Sequence, residues 1–386
     1  MVQFFLDDDS KKSFFKNHFG KKYIYKEKFI NNSQHIMSLS ILNELLSNRS
    51  YWNNKNFLMR LDTKHIQYSD YSSMHLEISG YVLRPDVDMV QDWLSRGASI
   101  ILNEIDKTSH ELINLANQLQ NFTQGRCQGN LYFSMDSRKA FGPHCDEHDV
   151  FAIHFEGEKI WNIYENIEKN PINHPVFKFD SEERIKRAGK LIDQVTLKPG
   201  DLLYLPRGQY HDALASKNGA MHIAFGLTYF KPIDLMSVIW EKLILSDFMR
   251  QDINQNITKD EFNFTLKKLS KELEVILNEK ETREVAFHSM KNWSYKLQNY
   301  SLKKIISEGR KYKVSKTVRI EKIGKDSFLV SGKDKVGIPS IYSELTDYIL
   351  KQEFITHESV SSHFNKTDQE IITDCIEKLN SMKVIF

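Results

Sequence analysis

Between Gly129 and Tyr229 the chain consists of short runs of β-forming residues separated by Gly and Pro. These runs include Leu131 to Ser134, Val150 to Phe155, Ile160 to Tyr164, Gln194 to Leu197, Leu202 to Leu205 and Met221 to Tyr229. Many short strands spaced by turns close into a barrel or pack as a sandwich. The segment thus constrains the fold more than any other part of the sequence.

The rest of the 386 residues reads differently. Apolar residues at Ile41, Leu42, Leu45 and Leu46 predict a helix over Ser38 to Ser47, with Ser38 or Ser40 as N-cap. Val87 to Leu94 and Glu111 to Phe122 predict two more helices. After Pro232, Ile233 to Met249 is apolar on more than one face, as in a helix sandwiched between neighbours. Phe262, Leu266, Leu269, Leu273 and Ile276 follow spacings of 4, 3, 4 and 3, a short coiled-coil-like seam that suits an internal bundle or a dimer interface.

Beyond about residue 300, β-like runs at Lys316 to Ile320 and Ser327 to Val330 precede helices near Ile341–Leu350, Glu358–Phe364 and Asp368–Met382. This layout suggests a winged helix. Its charge is split: 301–339 hold 11 Lys/Arg against 4 Asp/Glu, whereas 340–386 hold 4 against 8. A DNA-reading winged helix needs a basic recognition helix, so sequence-specific DNA binding is not expected.

Composition removes other classes. The net charge of +2 gives no global bias toward nucleic acid, and 12% aromatic with 27% charged residues argues against disorder. No apolar run approaches the roughly 20 residues that span a bilayer. The start, Met1 to Leu6 followed by Asp7, Asp8 and Asp9, lacks the pattern of a signal peptide. Cys127, Cys145 and Cys375 are odd in number and far apart, so no disulfide framework is expected. A cytoplasmic location without membrane association follows as the expectation.

The chemistry lies in Gly142-Pro-His-Cys-Asp-Glu-His-Asp-Val-Phe151. A His-x-Asp pair alone is a weak signal. On an extended segment, however, His144 and Asp146 project to one face while Cys145 points away. Pro199-Gly-Asp-Leu-Leu-Tyr-Leu-Pro-Arg-Gly-Gln-Tyr-His211, whose His lies sixty-five residues after Asp146, reads as turn, buried strand, turn and a His entering the next strand. An antiparallel barrel can return that His beside the first pair. Two imidazoles and a carboxylate on one metal face leave adjacent positions open, the arrangement of non-haem Fe(II) oxygenases. The open positions suit a bidentate 2-oxo acid plus O2. A 2-oxo diacid also needs a cation deeper in the barrel. Lys159, in Gly157-Glu-Lys-Ile-Trp161 on the strand after Val150–Phe155, is the candidate; the bland alternative is a solvent-facing lysine, with Arg207 as anchor instead.

Taken together, these motifs resemble the JmjC/cupin ribosomal oxygenases, which are 2-oxoglutarate-dependent protein hydroxylases. The resemblance rests on Phe141–Tyr164 and Leu197–Tyr229 and extends through Phe14–Phe29 and the C-terminal layout. It implies an α+β protein built on a double-stranded β-helix (the cupin/JmjC jelly-roll barrel), with a helical dimerisation domain and a C-terminal winged-helix domain. The corresponding boundaries are 1–230, 231–300 and 301–386. It implies His144, Asp146 and His211 as iron ligands and Lys159 as the partner of the distal carboxylate of 2-oxoglutarate. It further implies a homodimer that hydroxylates arginine or histidine of a protein, with a ribosomal protein favoured.

The sequence departs from the family at Ala224, where a Ser or Thr hydroxyl often meets the cosubstrate. Tyr132 and Ser134 are candidates to supply that hydrogen bond. His148, His154 and His222 read as packed residues rather than ligands, and Cys145 as a thiolate ligand would imply zinc but faces the wrong way. Two other readings stay open: a tailoring hydroxylase of a biosynthetic peptide, and a cupin-like binding protein without turnover.

Overall fold

Strands with alternating apolar residues bury one side chain in two, and a strand covered on both faces buries them all. The computed structural model, which describes residues 8–62, 64–135, 142–294 and 309–386, shows both cases. The chain divides into units 1–298 and 299–386.

In the first unit the strands are β1 (Ile24–Lys26), β2 (Phe57–Leu61), β3 (Lys64–Ile66), β4 (Ser72–Glu77), β5 (Gly80–Pro85), β6 (Ser99–Leu102), β7 (Arg126–Ser134), β8 (Asp149–Ile167), β9 (Leu191–Leu197), β10 (Leu202–Leu205) and β11 (Gln209–Thr228). Nine of them join in the order β1-β10-β8-β11-β7-β6-β2-β3, with β9 on β8, while β4 and β5 form a separate hairpin. The helices are α1 (Asp8–Asn17), α2 (Leu39–Ser47), α3 (Val87–Ser95), α4 (His110–Thr123), α5 (Ser181–Ala188), α6 (Leu235–Leu243), α7 (Lys259–Asn278) and α8 (Lys280–Lys291).

The long antiparallel pair β8–β11 organises the barrel. Before Gly157, β8 lies between β10 and the C-terminal half of β11; beyond it, β8 lies between β9 and the N-terminal half of β11. The runs expected as two strands, Val150–Phe155 and Ile160–Tyr164, are therefore one strand that bends without ending. Gly157 makes the bend at φ +65, and a Cβ there would lie 2.1 Å from the Gly219 carbonyl oxygen. Met221–Tyr229 is likewise mostly the second half of β11 rather than a strand of its own.

Alternation along β8 and β10 separates two cores. Phe151, Ile153 and Phe155, with Leu202 and Tyr204, face the helix-covered layer. There Phe14 of α1 packs against Phe122, Phe151 and Tyr204 at ring separations of 5.4, 6.0 and 5.0 Å. Val150, Ala152, Trp161, Ile163, Leu203 and Leu205 form a second cluster, with Ala224 packed against it. Each fully buried side chain of this size contributes about 1.5–3 kcal/mol.

The predicted helices at Ser38–Ser47, Val87–Leu94 and Glu111–Phe122 are α2, α3 and α4. The Ser38 hydroxyl caps α2 by accepting from Ile41 N. The helix expected over Ile233–Met249 ends at Leu243, and a single 3-10 turn follows at Phe248–Arg250. Strand β6 escaped sequence reading because Ser99–Leu102 is short and wholly buried, without the alternation that identifies a strand.

The second unit contains β12 (Lys311–Lys313), β13 (Val318–Ile323), β14 (Asp326–Ser331), β15 (Asp334–Ile338), α9 (Ser343–Leu350), β16 (Phe354–Thr356), α10 (His357–His363) and α11 (Gln369–Ser381). Strands β13, β14 and β15 form a meander and β12 pairs with β16. The core of this unit gathers Leu345, Ile349, Val360, Ile372, Ile376 and Leu379. No helix among the described residues is long and apolar enough to cross a membrane.

Candidate metal centre

The segment holding His144 pairs directly with the start of β11. His144 N–H donates to His211 O at 3.0 Å and His211 N–H donates to His144 O at 2.8 Å. One turn earlier, Gly208 N–H donates to Asp146 O at 2.9 Å. Gly208 has φ +87, and a Cβ there would lie 2.0 Å from the Glu168 carbonyl oxygen, so the turn that delivers His211 requires glycine.

Through this pairing, ligand atoms of His144, Asp146 and His211 all come within 4.8 Å of one another. His211 Nε2 lies 3.7 Å from Asp146 Oδ2, and the two imidazole rings are 4.5 Å apart. In each histidine, Nδ1 donates to a backbone carbonyl at 2.9 Å, from His144 to Gly142 O and from His211 to Gln209 O. A carbonyl only accepts, so the proton sits on Nδ1 and Nε2 is the nitrogen that carries the lone pair a metal would take.

Electrostatics agree with that protonation pattern. Burial, with the charge of His144 beside it, pushes His211 down to about 4. Burial alone would raise Asp146, yet His144, His148 and His211 hold it below the usual carboxylate range. The site therefore presents two imidazoles and one carboxylate, a donor set that fits a divalent first-row metal. The Cys145 sulfur is not among the converging atoms, and burial pushes its thiol up to about 11.

Lys159 projects into the same interior. Its side chain is buried, and burial pulls its ammonium down to about 7. Among the described residues no carboxylate pairs with it; it contacts His222 Nδ1 at 3.5 Å. A desolvated cation without a counter-charge fits an incoming carboxylate. Arg207, the alternative anchor, instead bonds Asn170 Oδ1 at 2.7 Å on the turn before β11.

The remaining candidates occupy distinct places. Tyr132 lies flat on His222, with ring centroids 4.9 Å apart and planes 10° from parallel. Ser134 is buried and its hydroxyl accepts from Ser99 Oγ at 3.0 Å. His154 Nε2 donates to Gly157 O at 3.0 Å, and His148 Nδ1 lies 3.3 Å from Asp149 O. Neither these two nor His222 belongs to the converging cluster.

Sequence reasoning treated Trp161 only as a flank of Lys159. Its ring stacks on His211 at 5.6 Å and meets His222 edge-on at 5.2 Å, so it lies between the metal corner and the lysine corner. Its two-residue offset from Lys159 was the available signal, because such residues share a strand face. Outside the triad a cleft of about 380 Å³ opens, walled by Phe177, Phe179 and Tyr210 and edged by Arg60 and Arg184.

Residues 102–235 match the JmjC domain family. The chain is 28% identical over 214 residues to the bifunctional lysine-specific demethylase and histidyl-hydroxylase NO66 of Dictyostelium discoideum, a match covering 54% of this chain and 39% of that one. It is 32% identical over 123 residues to ribosomal oxygenase 2 of Bos taurus, covering 32% and 25%. The matches thus span well under half of these relatives. A solved structure of YcfD from Escherichia coli superposes with a TM-score of 0.52 at 17% identity, covering 97% of both chains. Another, described as YcfD with cobalt and 2-oxoglutarate, gives 0.50 at 17%. At that identity the likeness establishes the fold, a JmjC/cupin jelly roll with mixed helices and strands.

Proposed function

We propose, from the premise that this chain belongs to the JmjC family, that it is an Fe(II)- and 2-oxoglutarate-dependent dioxygenase that hydroxylates an arginine or histidine side chain of a protein. A ribosomal protein is the favoured substrate, in keeping with what its relatives are named for. The observation that carries this reading is the convergence of His144, Asp146 and His211 with both Nδ1 atoms already committed to carbonyls.

Iron held there, with O2 and 2-oxoglutarate, supplies oxidation of an unactivated C–H bond coupled to conversion of the cosubstrate to succinate. The chain's own part is to bind and orient. His144 and His211 present Nε2, Asp146 adds the compensating charge, and Lys159 takes the distal carboxylate. Phe177, Phe179 and Tyr210 wall the approach of the substrate side chain and limit water around the reacting carbon.

The proposal extends to organisation. Residues 1–230 are read as the catalytic domain, 231–300 as a helical dimerisation domain and 301–386 as a winged-helix-like domain. A homodimer is supported by the seam on α7, where Phe262 and Leu266 are more than 40% exposed in the single chain, and by Trp240 at 61% on α6. The favoured location is the cytoplasm.

The test is incubation with Fe(II), ascorbate, 2-oxoglutarate and peptides from ribosomal proteins, with peptides encoded near the gene alongside. Succinate release with a +16 Da arginine or histidine in a ribosomal peptide is expected. Modification confined to the neighbouring peptides replaces the substrate assignment with the tailoring reading. No succinate above a metal-free control overturns the enzyme assignment.

A further inference from the structure

The chain has five tryptophans, and their indole N–H groups differ in one respect. Trp52, Trp93 and Trp293 donate to the carbonyls of Leu45, Asp70 and Thr228 at 2.9–3.1 Å. Trp240 is 61% exposed to solvent. Trp161 Nε1 is buried and has no hydrogen-bond partner among the described residues. An unmet buried donor is costly, so an indole in this place calls for an acceptor from outside the chain.

The surroundings narrow that acceptor. Trp161 is two residues from Lys159 on one face of β8, about 6.6–6.8 Å along the strand. Its ring leans on His211 at the metal corner. It therefore borders the path that a five-carbon diacid takes from the metal to the lysine. Ala224 packs against the same cluster as Trp161 and offers no donor. The two residues expected to compensate are engaged elsewhere: the Ser134 hydroxyl with Ser99, and the Tyr132 phenol with Asn130.

We propose that the Trp161 indole N–H donates to a carboxylate oxygen of bound 2-oxoglutarate. Trp161 is then a cosubstrate-binding residue of this chain and not only a wall of its core. This inference rests on the functional reading above, and its test separates the two.

The experiment is an NMR titration of the full chain, 15N-labelled at tryptophan and loaded with Zn(II), which keeps the sample diamagnetic and without turnover. The Trp161 indole cross-peak is identified by its loss in Trp161→Phe, or by elimination using variants of the other four tryptophans if that protein folds poorly. Adding 2-oxoglutarate is expected to move this proton resonance downfield. Trp161→Phe is expected to raise the Kd for 2-oxoglutarate about tenfold, with Zn(II) affinity unchanged. If calorimetry shows 2-oxoglutarate bound while the cross-peak stays in place or moves upfield, the inference is overturned and the functional reading stands. If Zn(II)-loaded wild-type protein binds no 2-oxoglutarate at all, the functional reading falls, and the inference with it.

Discussion

Lys159 Nζ lies 3.5 Å from His222 Nδ1, and both side chains are buried in the barrel. The ammonium can only donate, so His222 receives it as a neutral ring, and burial together with the Lys159 charge pushes His222 well below its ordinary value. An imidazole satisfies one of three ammonium protons and brings no negative charge. The pair is thus arranged to receive an anion.

That arrangement sets a pH dependence. With Lys159 at about 7 in the free protein, the charged form that binds a carboxylate dominates below that pH. The KM for 2-oxoglutarate should be flat below pH 7 and rise by up to about tenfold per unit above it. The slope should vanish in Lys159→Ala, whose KM is raised throughout by about 2–5 kcal/mol of lost binding. A pH-independent KM in the wild-type enzyme between pH 7 and 9 removes Lys159 as the anchor.

The same lysine opposes stability. Its folded value lies below the ordinary 10.5, so between about 7 and 10.5 the unfolded chain binds more protons and stability rises with pH. Lys159→Met is expected to raise the stability of the ligand-free protein by about 1–3 kcal/mol and to abolish that rise. Denaturant titrations at pH 7 and pH 9 check both effects; a destabilised Lys159→Met protein contradicts them.

His144→Ala, Asp146→Ala and His211→Ala should each abolish 2-oxoglutarate turnover and the thermal stabilisation that added Mn(II) or Fe(II) gives, while circular dichroism stays native. His222→Ala should keep the metal response and weaken 2-oxoglutarate binding instead. Near-normal activity in any of the first three excludes that residue as a ligand.

Gly208→Ala tests how the turn positions the triad. The added Cβ meets the Glu168 carbonyl at a φ that side chains rarely adopt. A loss of about 2–4 kcal/mol in stability, with weakened metal affinity because Asp146 and His211 flank the turn, is expected. Unfolding and metal titrations on the variant measure the two; full retention of both means that the turn relaxes without moving the ligands.

Assembly gives the last test. Light scattering should report twice the chain mass of 45.3 kDa at micromolar concentration, and Leu266→Asp on the exposed seam of α7 should return it to a single copy. A wild-type monomer makes the seam an internal packing feature.

Much of the chemistry was legible along the chain because strand geometry is local. A His-x-Asp pair shares a face by the two-residue period alone, and the Pro-Gly-Asp to His211 segment announces its turns through Pro and Gly. The helices α2, α3 and α4 were legible for the same reason, from apolar period and N-cap residues. Strand β6 was not, since four consecutive buried residues carry no period, and the joining of two runs across Gly157 was not, since a glycine ends some strands and only bends others.

The sequence by itself determined which residues are available: a histidine and a carboxylate two positions apart, a second histidine after a Pro-Gly turn, and a lysine fifteen positions after the first histidine. Only the tertiary structure decided what they meet. The reciprocal hydrogen bonds between His144 and His211 span 67 residues of chain, and the burial that strips Lys159 of counter-charge comes from strands β9 and β11. The unmatched indole of Trp161 belongs to the same category. Periodicity places a side chain on a face, but whether a donor finds an acceptor depends on groups far away in sequence, which packing alone brings near.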